Sequence, residues 1–217
     1  MDGWLTPTNS ASPDGVNAAD GFKSCGRGIV RLPGFGYGGG MDLLPDVVVG
    51  EVGLVIGLQA ERDKMLALTA GLALAGPVRV LDGGNGFDAY RVARLIRRQT
   101  PQLAEPLARI HVARAFTCYQ VVALFEETAA SDSPQLVFDL LATFYDESVS
   151  TAESFRLLRL VLSHIQRLRQ GAPVIISVRP PPVPQSDRLG LISLLERMAT
   201  HTFIRPVPVA RKPWRLL

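Results

Sequence analysis

Cysteine is nearly missing from this 217-residue sequence, which holds only Cys25 and Cys118. Two residues so far apart exclude a disulfide framework and a cysteine-based zinc cluster, and they suit a reducing compartment. Histidine is equally sparse: His111, His164 and His201 lie far from one another. The patterns H-E-x-x-H, C-x-x-C and G-x-S-x-G are absent, which removes the zinc-peptidase, dithiol and nucleophile-elbow chemistries that need them. No apolar run approaches a membrane span of roughly 20 residues, and the N-terminus lacks the apolar stretch of a signal peptide. The expectation is a cytoplasmic protein with no membrane partner. Lysine occurs only at Lys23, Lys64 and Lys212, so arginine carries most of the positive charge. The 23 Lys+Arg against 20 Asp+Glu leave a net charge of +3, a slight bias toward an anionic partner.

What is present is globular in character, with 47% hydrophobic and 20% charged residues. The length allows one full core. Residues 1–45 are rich in Gly, Pro, Ser, Asn and Asp without a sustained period, and are expected to form an irregular N-terminal arm. Within it, Gly34 to Gly40 set Phe35 and Tyr37 among glycines. Such a segment can stack on bases, dock on a neighbouring subunit, or simply pack or trail as an arm.

From residue 46 onward the pattern is ordered, and it centres on Val78 to Ile96. Val78, Val80 and Leu81 suit a buried strand, and Asp82-Gly83-Gly84-Asn85-Gly86 a tight turn. Val92, Leu95 and Ile96 then recur at helical spacing, surrounded by Arg91, Arg94, Arg97 and Arg98. Before this unit, Val52 to Ile56 read as a strand and Met65 to Leu74 as a helix ending near Gly76-Pro77. After it come a loop or short turn over 100–108, strands at 109–113, 135–139 and 173–178, and helices around 121–125, 152–169 and 189–198. Ser150 stands as cap and Glu153 in the capping-box place of the long helix. Residues 202–204 and 207–209 suggest a closing β-ribbon. Strands alternating with helices predict a parallel sheet covered on both faces.

The order and spacing of four segments resemble the ATPase core of RecA/RadA-type recombinases and their paralogues. They are Gly50 to Gly57 with the helix after it, the Leu81-Asp82 strand, Val112-Ala113-Arg114-Ala115-Phe116-Thr117-Cys118-Tyr119-Gln120, and Gln135 to Asp139 with Ala142-Thr143. The third is similar to the "ARA-aromatic" segment of the archaeal and eukaryotic branch. The resemblance covers roughly residues 46–180. It implies a RecA-like three-layer α/β/α domain over 46–217, with a mostly parallel central sheet and a C-terminal β-ribbon.

The same resemblance implies a degenerate nucleotide site formed by Gly57, Lys64 and Asp139. A P-loop reads G-x-x-x-x-G-K-[ST], so that main-chain N–H groups and a lysine cradle phosphates and a hydroxyl holds magnesium. Here Gly57-Leu58-Gln59-Ala60-Glu61-Arg62-Asp63-Lys64 keeps the first glycine only. Arg62 replaces the second glycine, Asp63 the lysine, and Lys64 the hydroxyl residue. Gly84 stands where the family keeps a water-activating glutamate, and Ser177-Val178-Arg179-Pro180 replaces its polar sensor. Asp139 alone survives as a metal-side carboxylate, or as a cap for the next turn. No ATP hydrolysis and no cofactor are expected.

A rival resemblance is to S-adenosylmethionine-dependent methyltransferases, whose D-x-G-x-G-x-G motif matches Asp82, Gly84 and Gly86, with Asp88 in place of the last glycine. The acidic residue that such enzymes need at the end of the next strand is missing. In the recombinase family the loops after the fourth and fifth strands touch single-stranded DNA. Here these are about 144–151, which is acidic, and 179–188, where Arg179 and Arg188 flank a polyproline run. The expected partners are a protein or a second copy of the chain, with weak contact to single- or double-stranded DNA.

Overall fold

The computed structural model describes residues 47–182 and 186–204. The N-terminal arm and residues 207–209 of the expected ribbon lie outside these. Six strands form one sheet: β1 (Val52–Ile56), β2 (Val78–Asp82), β3 (Ile110–Arg114), β4 (Gln135–Phe138), β5 (Val174–Val178) and β6 (His201–Ile204). Their order is β3-β2-β4-β5-β1-β6, and every pairing is parallel. The fold is thus α/β with helices on both faces, as the alternation of strand and helix patterns predicts. The central strands β1, β4 and β5 are buried at every residue. That burial is why they read as unbroken apolar runs rather than as alternating ones.

Among the described residues six α-helices cover the sheet: α1 (Arg62–Ala75), α2 (Ala89–Arg97), α3 (Ala104–Ala108), α4 (Cys118–Glu127), α5 (Thr151–Leu168) and α6 (Leu189–Met198). Three have side-chain caps that fix where they begin. Asp88 accepts from the Arg91 N–H at 3.0 Å, Thr117 from Gln120 at 3.2 Å, and Ser150 from Glu153 at 3.2 Å. The Glu153 carboxylate turns outward to Arg156 instead of closing a reciprocal box. The short α3 occupies part of the stretch expected to be a loop or short turn.

Alternation along the strands divides the core in two. Leu54, Leu81, Val137 and Ile176 pack with α4, α5 and α6, while Val55, Val80, Leu136 and Ile175 pack with α1 and α2. The α5 stripe Leu158, Val161, Ile165 and Leu168 is fully buried in the first cluster. Each such side chain contributes roughly 1.5–3 kcal/mol relative to its exposed state.

At the C-terminal side residues 202–204 lie in β6, which joins β1 in parallel, from Gly53↔His201 to Ile56↔Ile204, while 207–209 lie outside the described residues. The reason for the β6–β1 pairing is α6, a crossover that returns the chain to the same end of the sheet, as parallel pairing requires.

This topology defines where ligands would be received. The helices after β1 and β2 lie on one face, and those after β3, β4 and β5 on the other. The neighbours β1 and β5 therefore send the chain to opposite faces, as do β2 and β4. Open parallel sheets bind ligands in the crevices at the carboxyl ends of such strand pairs. Among the described residues no helix is long and apolar enough to cross a membrane.

Candidate functional site

The first crevice is bordered by the turn between β1 and α1. Gly57 leaves the sheet with its N–H donating to the Val178 carbonyl at 3.1 Å. Gln59, Ala60 and Glu61 then adopt left-handed backbone, with φ of 52°, 53° and 47°. Three successive non-glycine residues in this region are unusual, since each costs about 1–2 kcal/mol. The turn is held by the Ala60 N–H on the Gly57 carbonyl at 3.0 Å and by burial of the Ala60 methyl. It brings the Glu61 carboxyl back over Gly57, where a β-carbon would lie 2.6 Å from Oε1. The glycine is thus needed for the close approach of a carboxylate from its own turn.

The three residues that depart from the P-loop pattern each engage another part of the chain. Lys64 forms an ion pair with Glu61. Arg62 donates from Nε to the Gly86 carbonyl at 2.6 Å, which ties the start of α1 to the β2–α2 turn. Asp63 accepts from the Arg91 guanidinium at 2.6 Å. The Lys64 ammonium is therefore matched by a carboxylate three residues away, and Arg62 also lies 3.6 Å from the Asp88 carboxylate.

The second crevice lies between β2 and β4, and Asp82 shapes it. Asp82 is fully buried, and its carboxylate accepts from the Gly86 N–H at 2.8 Å, the Phe87 N–H at 3.0 Å and Arg114 Nε at 2.9 Å. Three donors meet the requirement that a buried charge be paired and hydrogen-bonded. The turn so formed carries Asn85 at φ 53° and presses Gly84 against the next strand end. A β-carbon on Gly84 would lie 2.5 Å from Asp139 Cβ. Gly84 is needed here as a contact surface for Asp139.

Asp139 follows β4 in left-handed conformation, φ 45°, and is nearly buried. Its N–H donates to Ser177 Oγ at 3.1 Å, and its carboxylate receives the Arg179 N–H at 3.3 Å and Arg179 Nε at 3.1 Å. Burial pushes the carboxyl above the ordinary aspartate range, against the opposing pull of Arg179. Tyr145 donates its hydroxyl to the Arg179 carbonyl at 2.9 Å, and its own ionisation is pushed up, first by burial and then by Asp139. Arg179 is therefore fixed by both main chain and side chain.

The sequence-derived candidates can now be placed. Gly57 and Lys64 meet through Glu61. Gly84 and Asp139 touch directly, and Asp82 and Gly86 share a hydrogen bond. Arg179 holds Asp139, with its side chain about half exposed. Arg188 is a correction. Only 5% exposed, it points inward and donates to the carbonyls of Phe144, Asp146 and Val149, so it braces the loop after β4 and faces no phosphate backbone. Four participants are not among those candidates: Glu61, Arg114, Tyr145 and Ser177. The i,i+3 spacing of Glu61 and Lys64 was a readable signal. The other three are far in sequence from the groups they hold, and only strand order brings them together.

The shifted carboxyl yields a measurable expectation. With its folded pKa raised, Asp139 binds a proton more tightly in the folded than in the unfolded chain. Its contribution to stability therefore falls as pH rises from the unfolded aspartate value, about 3.9, through the folded one. Carbon-detected NMR titration of the Asp139 carboxyl is expected to give a midpoint above the free-aspartate value. A midpoint at or below it would mean that Arg179 outweighs burial.

Compared with known proteins, the chain matches no family model, and no curated protein aligns with it at a significant level.

Proposed function

We propose that the chain is a non-catalytic RecA/RadA-like paralogue, a binding or assembly factor in DNA recombination or repair that does not hydrolyse ATP. The observation that carries this reading is the β1–α1 turn, where the Glu61 carboxylate rests on Gly57 and pairs with Lys64. A nucleotide's phosphates would meet that carboxylate and Asp63 within a few ångströms, a repulsion of about 4 kcal/mol per charge pair at 4 Å near a protein surface. The same turn lacks the glycine, lysine and hydroxyl that a P-loop needs. At the place of the water-activating glutamate, Gly84 offers no side chain and is packed against Asp139. The methyltransferase alternative is less well supported. The Asp82 carboxylate and the Gly86 N–H, which that reading would turn toward a cofactor, bond to each other.

A protein partner, either a second copy or an active recombinase, fits the surface around β3. This edge strand exposes Val112, and the segment after it exposes Phe116 (65%) and Tyr119. Exposed aromatic side chains beside a strand that has no second neighbour among the described residues suit a protein contact. Because the nucleotide place is taken by side chains, the contact would be independent of nucleotide. DNA contact in this reading is weak, independent of sequence and sensitive to salt.

Purified protein is expected to release no phosphate from ATP above background, with or without DNA. Turnover that disappears in an Asp139→Ala variant would overturn the reading. For the partner, deletion of residues 1–40 is expected to lower oligomer mass or partner affinity while the circular dichroism of the core is retained. Unchanged mass and unchanged affinity would show that the arm plays no part.

A further inference from the structure

Between them α1 and α2 enclose an open groove of about 260 Å³ lined by Asp63, Leu66, Arg91, Arg94, Leu95 and Arg98. The four α2 residues fall at i, i+3, i+4 and i+7, so they form one stripe facing α1. Leu66 is buried, and Leu95 partly so; these give the groove an apolar floor. Three guanidiniums and one carboxylate stand above it. Asp63 pairs with Arg91, whereas neither Arg94 nor Arg98 forms an ion pair among the described residues. At the upper end Tyr90 is 72% exposed, with the Arg94 guanidinium 5.9 Å from its ring centroid.

Basic residues in the last turn of α2 favour the helix dipole, which accounts for Arg94 and Arg97 as helix stabilisers. It does not account for a large aromatic ring left in solvent in the first turn, nor for the alignment of the free arginines along a groove. Arginines spaced along a cleft track phosphates, and an exposed ring beside a guanidinium stacks on a base. From Arg91 to Arg98 the stripe runs about 10 Å.

We infer that the α1–α2 groove binds single-stranded nucleic acid, with phosphates on Arg94 and Arg98 and a base stacked on Tyr90. The site lies between α1 and α2 and does not include Arg179; its upper end, with Asp63 and Tyr90, adjoins the turns after β1 and β2. It names a place for the nucleic-acid contact in the function proposed above and rests on that part of it alone.

The test is fluorescence anisotropy of a labelled oligothymidylate with the full chain, titrated with salt. Arg98→Ala is expected to weaken binding and to flatten the log–log salt slope by about 0.7. Tyr90→Ala should weaken it on the order of ten-fold with the slope unchanged, as loss of one stacked base would. Circular dichroism of each variant establishes that the fold is kept. Unlabelled duplex or inorganic polyphosphate competing as well as the single strand would overturn the stacking assignment. If wild type binds and Arg179→Ala abolishes binding while the groove variants do not, the groove inference fails and the proposed DNA contact stands. No binding by wild type at low salt would defeat both.

Discussion

The buried carboxylate of Asp82 is the fixed point from which the strand ends take their shape. A charge with no exposure is tolerated only when its lone pairs are filled, and here two main-chain N–H groups and the Arg114 guanidinium fill them. Those bonds fold the chain after β2 into a tight turn, which brings Gly84 onto Asp139. They also aim the Gly86 carbonyl at Arg62, so the same turn anchors the start of α1. Removing the Asp82 charge would leave Arg114 and two N–H groups without their acceptor, and the turn without its closing bonds. The adjoining groups continue the pattern: Asp139 holds Arg179, and the Arg179 carbonyl holds Tyr145.

The crevices that this topology opens are therefore occupied by the chain itself. At β1 and β5 the occupant is Glu61 with Lys64, and at β2 and β4 it is Gly84 against Asp139. At both sites the polar groups bond to neighbours in the same molecule. The left-handed run Gln59-Ala60-Glu61 shows that the turn adopts a costly backbone even though glycine is absent from it. Such strain persists only where surrounding contacts impose it. Here the surroundings are the buried Ala60 methyl, the Arg62 bond to Gly86 and the Glu61–Lys64 pair.

Much of this is legible in the sequence. Runs such as Val174 to Val178 announce central parallel strands because burial on both faces leaves no polar position. Asp88, Thr117 and Ser150 mark helix starts by the chemistry of capping, and Ser150 was read as such. The run Arg62-Asp63-Lys64 is legible as unlike the glycine-lysine-hydroxyl run of a P-loop. The partners of these residues were not visible: Asp63 meets Arg91 from another helix, and Asp82 meets Arg114 from a neighbouring strand. Pairings of this kind depend on strand order, which local pattern does not specify. Arg188 shows the same limit from the other side, since its position in a proline-flanked loop suggested exposure while three carbonyls draw it inward. Residues 202–204 were assigned to the right kind of element, but joining them to β1 required knowing where α6 returns.

The central claim is that both strand-end crevices are filled from within, and thermal denaturation with added ligand tests it most directly. ATP with magnesium and S-adenosylmethionine would each be added separately to the full chain. A ligand at about a hundred times its dissociation constant adds roughly 2.7 kcal/mol, which for a chain of this size raises Tm by about 5–10 °C. The account expects no rise with either compound. A rise of several degrees with ATP-magnesium would show that Glu61 yields its place to phosphate, and a rise with S-adenosylmethionine would show that the Asp82 turn opens to a cofactor; either result would contradict the account.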